Sequence, residues 1–144
     1  MSSLDFAKYS AKERPFACWR FTYGIAQAFT ILFVDDDDLV RAPLGQLLRA
    51  QGWRVFTASS AVEAIRIIAL EHVDVLFTDV VMPDKDGIEL AKQAKLLSPN
   101  IRVVFATAYF SQAANAERLG RVLFKPLRAH EIDTALEEIR QKMV

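Results

Sequence analysis

Short apolar runs alternate with amphipathic segments along most of the chain, and the period of the apolar positions changes between them. Thr30–Val34 is a continuous run of β-branched and large apolar residues, which is typical of a buried strand. In the segment after it, Leu44, Leu47 and Leu48 recur at helical spacing, and Gly52 ends the pattern. The sequence therefore predicts a strand followed by a helix, and this unit repeats.

The same alternation predicts five strands and five helices. The strands are expected over Thr30–Val34, Trp53–Thr57, Val73–Thr78, Ile101–Ala106 and Arg121–Phe124. The helices are expected over Leu39–Gln51, Ala61–Glu71, Ile88–Leu97, Gln112–Leu119 and Ala129–Lys142. Strands that alternate with helices favour an α/β domain whose parallel, doubly wound sheet is covered on both faces. In such a sheet, ligands bind at the carboxyl ends of the strands.

Length and composition limit the possible classes of protein. The 144 residues, 52% of them apolar, suffice for one domain with a sizeable core and exclude a wholly disordered chain. The 18 basic and 18 acidic side chains cancel, which removes a global electrostatic reason to bind nucleic acid or an anionic membrane. Cys18 is the only cysteine, and His72 and His130 are the only histidines, so a disulfide framework and a His/Cys metal cluster are excluded. We expect a cytoplasmic protein whose partners include neither nucleic acid nor a membrane.

Residues 1–29 do not share the strand–helix pattern, and we interpret them as an N-terminal extension to a domain over residues 30–144. Basic residues precede the apolar-leaning stretch Phe16–Phe29, which loosely resembles a secretory signal. Arg20 and Gln27 interrupt that stretch, and it is too short and too polar to span a bilayer. We expect either a short amphipathic helix or a flexible extension.

Polar or charged groups lie at the carboxyl ends of four of the five predicted strands. The first strand ends in Asp35–Asp38, the third at Asp79, the fourth at Thr107 and the fifth at Lys125. In a doubly wound parallel sheet these ends share one edge. The sequence therefore predicts one site that contains several acids, a hydroxyl group and an ammonium group.

The chemistry of this predicted site follows from its charges. Ionised carboxylates held close together repel one another, and a hard divalent cation relieves that repulsion. Mg²⁺ favours oxygen ligands and binds one or two carboxylates together with phosphate oxygens. The Lys125 ammonium and the Thr107 hydroxyl could bind the same anionic oxygen beside the metal. An aspartate in this setting could itself act as the nucleophile and form an acyl phosphate.

Four motifs in order resemble the response-regulator receiver domain of two-component signalling: Ile31–Asp37, Asp79–Gly87, Ala106–Ala108 and Lys125-Pro126. The resemblance covers residues 30–144 and implies a flavodoxin-like (βα)5 fold with strand order 2-1-3-4-5. It implies a stand-alone receiver that takes a phosphoryl group from a histidine kinase or a histidine phosphotransfer protein. Phosphorylation would then switch a surface that binds a downstream protein, which the sequence does not identify.

The resemblance also implies a role for each acid. Asp79 matches the phosphoacceptor. Asp35 and Asp36 match the acid pair that organises Mg²⁺, and Asp79 and the backbone carbonyl of Val81 complete the implied metal ligands. Apart from the self-catalysed phosphorylation and dephosphorylation of Asp79, the resemblance implies no dedicated enzyme activity.

The remaining motif residues match the switch of the family, with two departures. Thr107 matches the hydroxyl that moves to the phosphoryl group, and Lys125 matches the lysine that pairs with it. Pro126 matches the proline that usually follows in a cis peptide. Val122 stands where the family usually has the aromatic residue that moves with the threonine. The segment from Thr107 to Lys125 is also shorter than usual, so we expect a truncated fourth helix and a remodelled output face.

Several of these residues also have ordinary structural explanations. Asp38 suits the start of a helix, where acidic side chains are favoured. Asp84–Gly87 is typical of a turn, in which Gly87 is expected to take a positive φ. Alone, Thr107 would be explained by a backbone hydrogen bond and Lys125 by solvent exposure. Their position at one edge with the acids favours a functional site.

Two other functions remain open from the sequence. Asp35-Asp36-Asp37 also fits the opening motif of a haloacid-dehalogenase-like phosphatase, although that hypothesis gives Asp79 no role. A degenerate receiver that acts only as a docking module is the other alternative. The complete acid set, together with Thr107 and Lys125, counts against it.

Overall fold

The computed structural model describes residues 29–143, which form five strands and five helices in strict alternation. The strands are β1 (Thr30–Val34), β2 (Arg54–Ala58), β3 (Val75–Asp79), β4 (Arg102–Thr107) and β5 (Arg121–Phe124). The helices are α1 (Asp38–Ala50), α2 (Ala61–Leu70), α3 (Gly87–Leu97), α4 (Phe110–Glu117) and α5 (Ala129–Met143). The predicted order of elements is confirmed, and the predicted ends lie within two residues of those observed.

The five strands form one parallel sheet in the order β2-β1-β3-β4-β5, so the doubly wound topology and its strand order are confirmed. Near the carboxyl ends, Asp79 of β3 pairs with Ala106 of β4, and Thr107 pairs with Phe124 of β5. This register brings the polar residues that end the strands to the same edge of the sheet.

Alternate residues of each strand pack on opposite faces of the sheet, and each face has its own hydrophobic core. On one face, Leu32, Leu76 and Phe105 pack against α2, α3 and α4. On the other face, Phe33 and Phe77 pack against α1 and α5 and lie edge to face, with ring centroids 5.2 Å apart. Because both faces are covered, the strands are almost wholly apolar and the polar chemistry is confined to their ends.

Two glycines have distinct structural roles. Gly52, which follows α1, has a φ of 97° and is the glycine with positive φ among the described residues. The prediction of positive φ at Gly87 is therefore wrong. Gly87 instead begins α3 against the end of β3, where an added Cβ would lie 2.1 Å from the carbonyl oxygen of Asp79. The close approach of two backbones, rather than a turn conformation, explains glycine at this position.

The predictions for the N-terminal extension concern positions that, apart from Phe29, lie outside the described residues. The division into an extension and a domain over residues 30–144 therefore stays a prediction. Within residues 29–143, no helix is both long enough and apolar enough to cross a membrane.

Candidate functional site

Three of the predicted acids form a cluster at the carboxyl edge of the sheet. Asp35 and Asp36 follow β1, Asp79 ends β3, and each offers an oxygen within 4.8 Å of the others. Asp36 is exposed, whereas Asp35 and Asp79 are buried. Three carboxylates at this separation form a hard, oxygen-rich set of the kind that a divalent cation binds. The residues present therefore fit the Mg²⁺ ion predicted from the sequence.

Asp35 is held rigidly and is 1% exposed. Its N–H donates to the carbonyl of Ala58 on β2 at 3.2 Å, and its own carbonyl accepts from the Arg41 guanidinium at 2.7 Å. Its carboxylate accepts from the N–H of Asp37 at 2.9 Å. Burial nevertheless raises the pKa of Asp35 above its ordinary value, because desolvation outweighs the hydrogen bond from Asp37 and the positive charge of Lys125. Keeping this buried carboxylate ionised therefore costs free energy, and a bound cation would lower that cost.

Asp79 presents its carboxylate at the end of the central strand β3. One carboxylate oxygen, Oδ1, accepts from the N–H of Val81 at 3.2 Å, and the other, Oδ2, accepts from Lys125. Val81 is 46% exposed beside this group. The predicted metal ligand is the carbonyl of Val81, and that role stays a prediction. The carboxylate is therefore fixed at both oxygens and still lies next to solvent.

Lys125 links the acids. Its Nζ lies 2.8 Å from Asp79 Oδ2 and 3.4 Å from Asp35 Oδ2. Burial opposes the charged ammonium, but the hydrogen bond and charge of Asp79, with the charge of Asp35, outweigh it and raise the pKa of Lys125. The amine therefore stays protonated at neutral pH. The Lys125-Pro126 peptide is cis, as the family resemblance implies.

Thr107 reaches the same edge, but its hydroxyl is directed elsewhere. The side chain is fully buried. Its Oγ1 accepts from the N–H of Tyr109 at 3.0 Å and donates to the carbonyl of the same residue at 3.4 Å. These contacts hold the residue that precedes α4, and they do not include Asp79 or Lys125. The helix α4 follows directly and begins at Phe110, two residues earlier than predicted.

The face around α4 and β5 contains an aromatic pair that does not involve position 122, and remodelling of the output face stays a prediction. Val122 is half-buried and packs against the core on the α2–α4 side, so no aromatic ring lies at that position. Instead, the exposed ring of Phe110 stacks on Phe124, with centroids 4.6 Å apart and planes inclined by 33°. With eight residues, α4 is the shortest of the five helices described.

Two acids of the loop after β3 have roles that the turn interpretation missed. Asp86 is the N-cap of α3, where its carboxylate accepts from the N–H of Glu89 at 2.8 Å. The spacing Asp-x-x-Glu is a capping signal that the sequence offered. Asp84 accepts from the N–H groups of Ala61 and Val62 on α2. That contact joins residues more than twenty positions apart, and no local pattern predicts it.

The sequence model described as "Response regulator receiver domain" matches residues 31–137. The chain belongs to this family. It is 32% identical over 112 residues to sporulation initiation phosphotransferase F of Bacillus subtilis, covering 75% of this chain and 90% of that protein. It is 32% identical over 113 residues to the response regulator receiver protein CpdR of Brucella abortus, covering 76% of this chain and 94% of that protein.

Longer relatives and solved structures agree with this assignment. The sensor kinase CckA of Brucella abortus is 32% identical over 144 residues, which are 96% of this chain and 15% of that protein. A crystal structure of the receiver domain from the hybrid histidine kinase CckA has a TM-score of 0.67 at 31% identity, covering 76% of this chain and 97% of that one. A receiver domain protein from Clostridium thermocellum has a TM-score of 0.72 at 27% identity, covering 80% and 98%. The chain is thus a flavodoxin-like receiver domain of two-component signalling, and neither alternative function is favoured.

Proposed function

We propose that the domain accepts a phosphoryl group on Asp79 in a Mg²⁺-dependent reaction and that this modification switches a protein-binding surface. The observation that supports the proposal is the geometry around Asp79. Its carboxylate lies beside two further acids within 4.8 Å and 2.8 Å from the Lys125 ammonium. A nucleophile, a cation site and a fixed positive charge are the parts that phosphoryl transfer to an aspartate needs.

In the proposed reaction, one Asp79 oxygen forms a bond to phosphorus while the phosphorus–nitrogen bond to a donor imidazole breaks. The imidazole takes up a proton from solvent as it leaves. Asp35, Asp36, Asp79 and the Val81 carbonyl would hold Mg²⁺, which would neutralise charge on the phosphoryl oxygens during transfer. Lys125 would pair with a phosphoryl oxygen.

Thr107 has a separate role in this proposal. Its hydroxyl has one proton to donate, and that proton is directed to the Tyr109 carbonyl. If the hydroxyl donates to a phosphoryl oxygen, it must give up this contact at the start of α4. Phosphorylation would therefore change the surface formed by α4 and β5, and a downstream protein would read that surface.

The proposed donors are a histidine kinase and a histidine phosphotransfer protein. Support comes from the relatives, which include a phosphotransferase of sporulation initiation and the receiver of a sensor kinase. A cytoplasmic setting is part of the same proposal, because the single cysteine offers no disulfide framework.

Labelling with a small phosphodonor tests the acceptor. Incubation with acetyl phosphate and Mg²⁺ is expected to add one phosphoryl group to the wild type, measured by intact mass. Asp79→Asn and chelation of Mg²⁺ should each abolish the addition. Asp38→Asn, which changes an exposed acid at the start of α1, is the matched control and should be labelled normally. Labelling of Asp79→Asn to the wild-type extent would overturn the assignment.

The same variants separate the proposal from a phosphatase. Turnover of phosphate monoesters that Asp35→Asn abolishes and Asp79→Asn does not would favour a phosphatase whose nucleophile is Asp35. Transfer from a panel of phosphorylated histidine kinases and phosphotransfer proteins would then identify the physiological donor.

A further inference from the structure

The carboxylate of Asp84 binds the N-terminus of a helix far from it in the chain. Its Oδ2 accepts from the N–H of Ala61 at 3.0 Å and from the N–H of Val62 at 3.3 Å. These are the first two residues of α2, and their amides point out of the helix without intrahelical acceptors. The partial positive charge of the helix N-terminus adds to the attraction for a carboxylate. The loop after β3 is thereby tied to α2.

This loop contains the residues next to the phosphoacceptor. The N–H of Val81 donates to Asp79 Oδ1 at 3.2 Å, and the N–H of Gly87 donates to the carbonyl of Val80 at 2.7 Å. The loop is thus closed at its base and packs Met82 into the core, while its outer part, from Pro83 to Asp86, lies at the surface. Asp84 lies three residues beyond Val81 and connects that outer part to a separate element of the fold.

We propose that Asp84 is a positioning residue for the metal and phosphoryl site. By tying the loop to α2, it holds the Val81 backbone in place beside Asp79. A backbone carbonyl contributes more to metal affinity when its loop is ordered before binding, because ordering the loop on binding costs conformational entropy. Asp84 would therefore set the affinity for Mg²⁺ and the lifetime of the acyl phosphate. This inference rests on the proposed function.

The cap that α2 receives from its own residues does not include the two N–H groups that Asp84 binds. The Ser60 hydroxyl accepts from the N–H of Glu63 at 3.2 Å. The carboxylate of Glu63 in turn accepts from the N–H of Ser59 at 3.0 Å and from its hydroxyl at 2.9 Å. The hydrogen bonds from Ser59 hold the pKa of Glu63 below its ordinary value, so this carboxylate is charged at neutral pH. The Ser60 hydroxyl thus forms one half of a capping box, whereas the Glu63 carboxylate binds Ser59 in place of the Ser60 N–H.

These two devices at one helix end provide a matched pair of variants. Asp84→Ala removes the tie to the loop, whereas Ser60→Ala removes the cap of the same helix and leaves the loop bonded. Asp84→Asn keeps an acceptor oxygen for the two N–H groups and removes the charge. Three readouts are needed: the Mg²⁺ dissociation constant by titration calorimetry at fixed ionic strength, the acyl-phosphate half-life, and hydrogen exchange at the Val81 amide in the metal-free protein.

Asp84→Ala is expected to weaken Mg²⁺ binding about tenfold, the lower end of what loss of an outer-shell support costs. The same variant should also change the half-life of the acyl phosphate and speed hydrogen exchange at the Val81 amide. Ser60→Ala should lower the melting temperature and leave all three readouts within about twofold of wild type, since its contacts do not reach the loop. Asp84→Asn should lie close to wild type in exchange and in Mg²⁺ affinity.

Four results would overturn this proposal. If Asp84→Ala binds Mg²⁺ with wild-type affinity, Asp84 does not position the metal site. Equal losses in Ser60→Ala and Asp84→Ala would assign the effect to the helix, and equal losses in Asp84→Asn and Asp84→Ala would assign it to charge. If the wild type neither binds Mg²⁺ nor is phosphorylated, both this inference and the proposed function fail. If the wild type does both and Asp84→Ala is unaltered, the positioning role alone fails.

Discussion

The ammonium of Lys125 lies 2.8 Å from a carboxylate oxygen of Asp79, the closest ion pair of the site. A second acid, Asp35, lies 3.4 Å from the same nitrogen. One positive charge therefore balances part of a cluster of three acids, and the metal-free site keeps an excess of negative charge. This imbalance determines how the domain should respond to mutation, to pH and to cations.

Removal of the Lys125 charge should destabilise the metal-free protein and make its stability depend more on Mg²⁺. Lys125→Gln leaves two largely buried carboxylates without their cation, so we expect the free energy of unfolding to fall by about 1–3 kcal/mol, less than for a fully buried pair. Saturating Mg²⁺ should reduce the difference in free energy of unfolding between Lys125→Gln and the wild type, because the bound cation replaces the lost charge. Urea unfolding with and without Mg²⁺ measures both effects.

The control for this prediction is Lys92→Gln. Lys92 is exposed and lies 3.6 Å from Glu89 on the same helix, so its removal should cost no more than about 0.5 kcal/mol at either Mg²⁺ concentration. If Mg²⁺ does not change the loss of stability in Lys125→Gln, the lysine and the metal do not neutralise the same carboxylates.

Neutralisation of Asp35 should stabilise the metal-free fold at neutral pH, even though it removes a metal ligand. Burial raises the pKa of this carboxyl, so the native state holds the proton more tightly than the unfolded chain does. The ionised form therefore lowers stability above the native pKa. Asp35→Asn keeps an acceptor for the Asp37 N–H, and we expect a gain of about 1 kcal/mol at pH 7 without metal.

The sign of the pH dependence makes the Asp35 prediction specific. As pH falls through the raised native pKa of Asp35 towards the ordinary value of 3.8, the wild type takes up the proton in the folded state. The advantage of Asp35→Asn should shrink over that window and be largest at neutral pH. Urea unfolding of both proteins at several pH values tests this, with Asp38→Asn as an exposed control. If the stability of Asp35→Asn relative to the wild type increases as pH falls, folding lowers the pKa of Asp35 and the prediction is wrong.

Several features of the site followed from the sequence, because they depend on strand ends and topology alone. Once the period of apolar residues gave five strands, the right-handed crossover rule placed Asp35, Asp79 and Lys125 at one edge. The direction of the Thr107 hydroxyl did not follow, since it depends on which of several nearby acceptors is reached in three dimensions. The contact between Asp84 and α2 joins distant segments, so no local pattern encodes it.

Substitution of Gly87 should be more damaging than substitution of a glycine inside a helix. An alanine Cβ at this position would lie 2.1 Å from the Asp79 carbonyl oxygen, so α3 or β3 must shift. We expect Gly87→Ala to cost at least about 2 kcal/mol. In Gly45→Ala the Cβ would meet the Thr57 methyl at 3.3 Å and a nitrogen of the Arg49 side chain at 3.7 Å. The gain in helix propensity of about 1 kcal/mol offsets the closer of these two side-chain contacts.

Urea unfolding of the two alanine variants measures this difference directly. A Gly45→Ala protein close to wild type and a strongly destabilised Gly87→Ala protein would support the explanation by close backbone approach. Equal, small effects in both variants would show that the end of β3 and the start of α3 separate easily. Such a result would also weaken the view that Asp79 is rigidly placed.

The hydroxyl of Thr107 provides a local readout of phosphorylation. In the structure it accepts from the Tyr109 N–H at 3.0 Å, and this amide lies directly before α4. If phosphorylation draws the hydroxyl towards Asp79, the Tyr109 amide loses its acceptor and should exchange with solvent faster. Amide hydrogen exchange before and after acetyl phosphate treatment measures this change.

The controls for the Tyr109 amide are two variants of Thr107. In Thr107→Val this amide should exchange fast in both states, because the variant has no hydroxyl to lose, whereas Thr107→Ser should behave as the wild type does. Unchanged protection of the Tyr109 amide in fully phosphorylated wild type would show that the hydroxyl stays at α4 and that the signal leaves the site by another route.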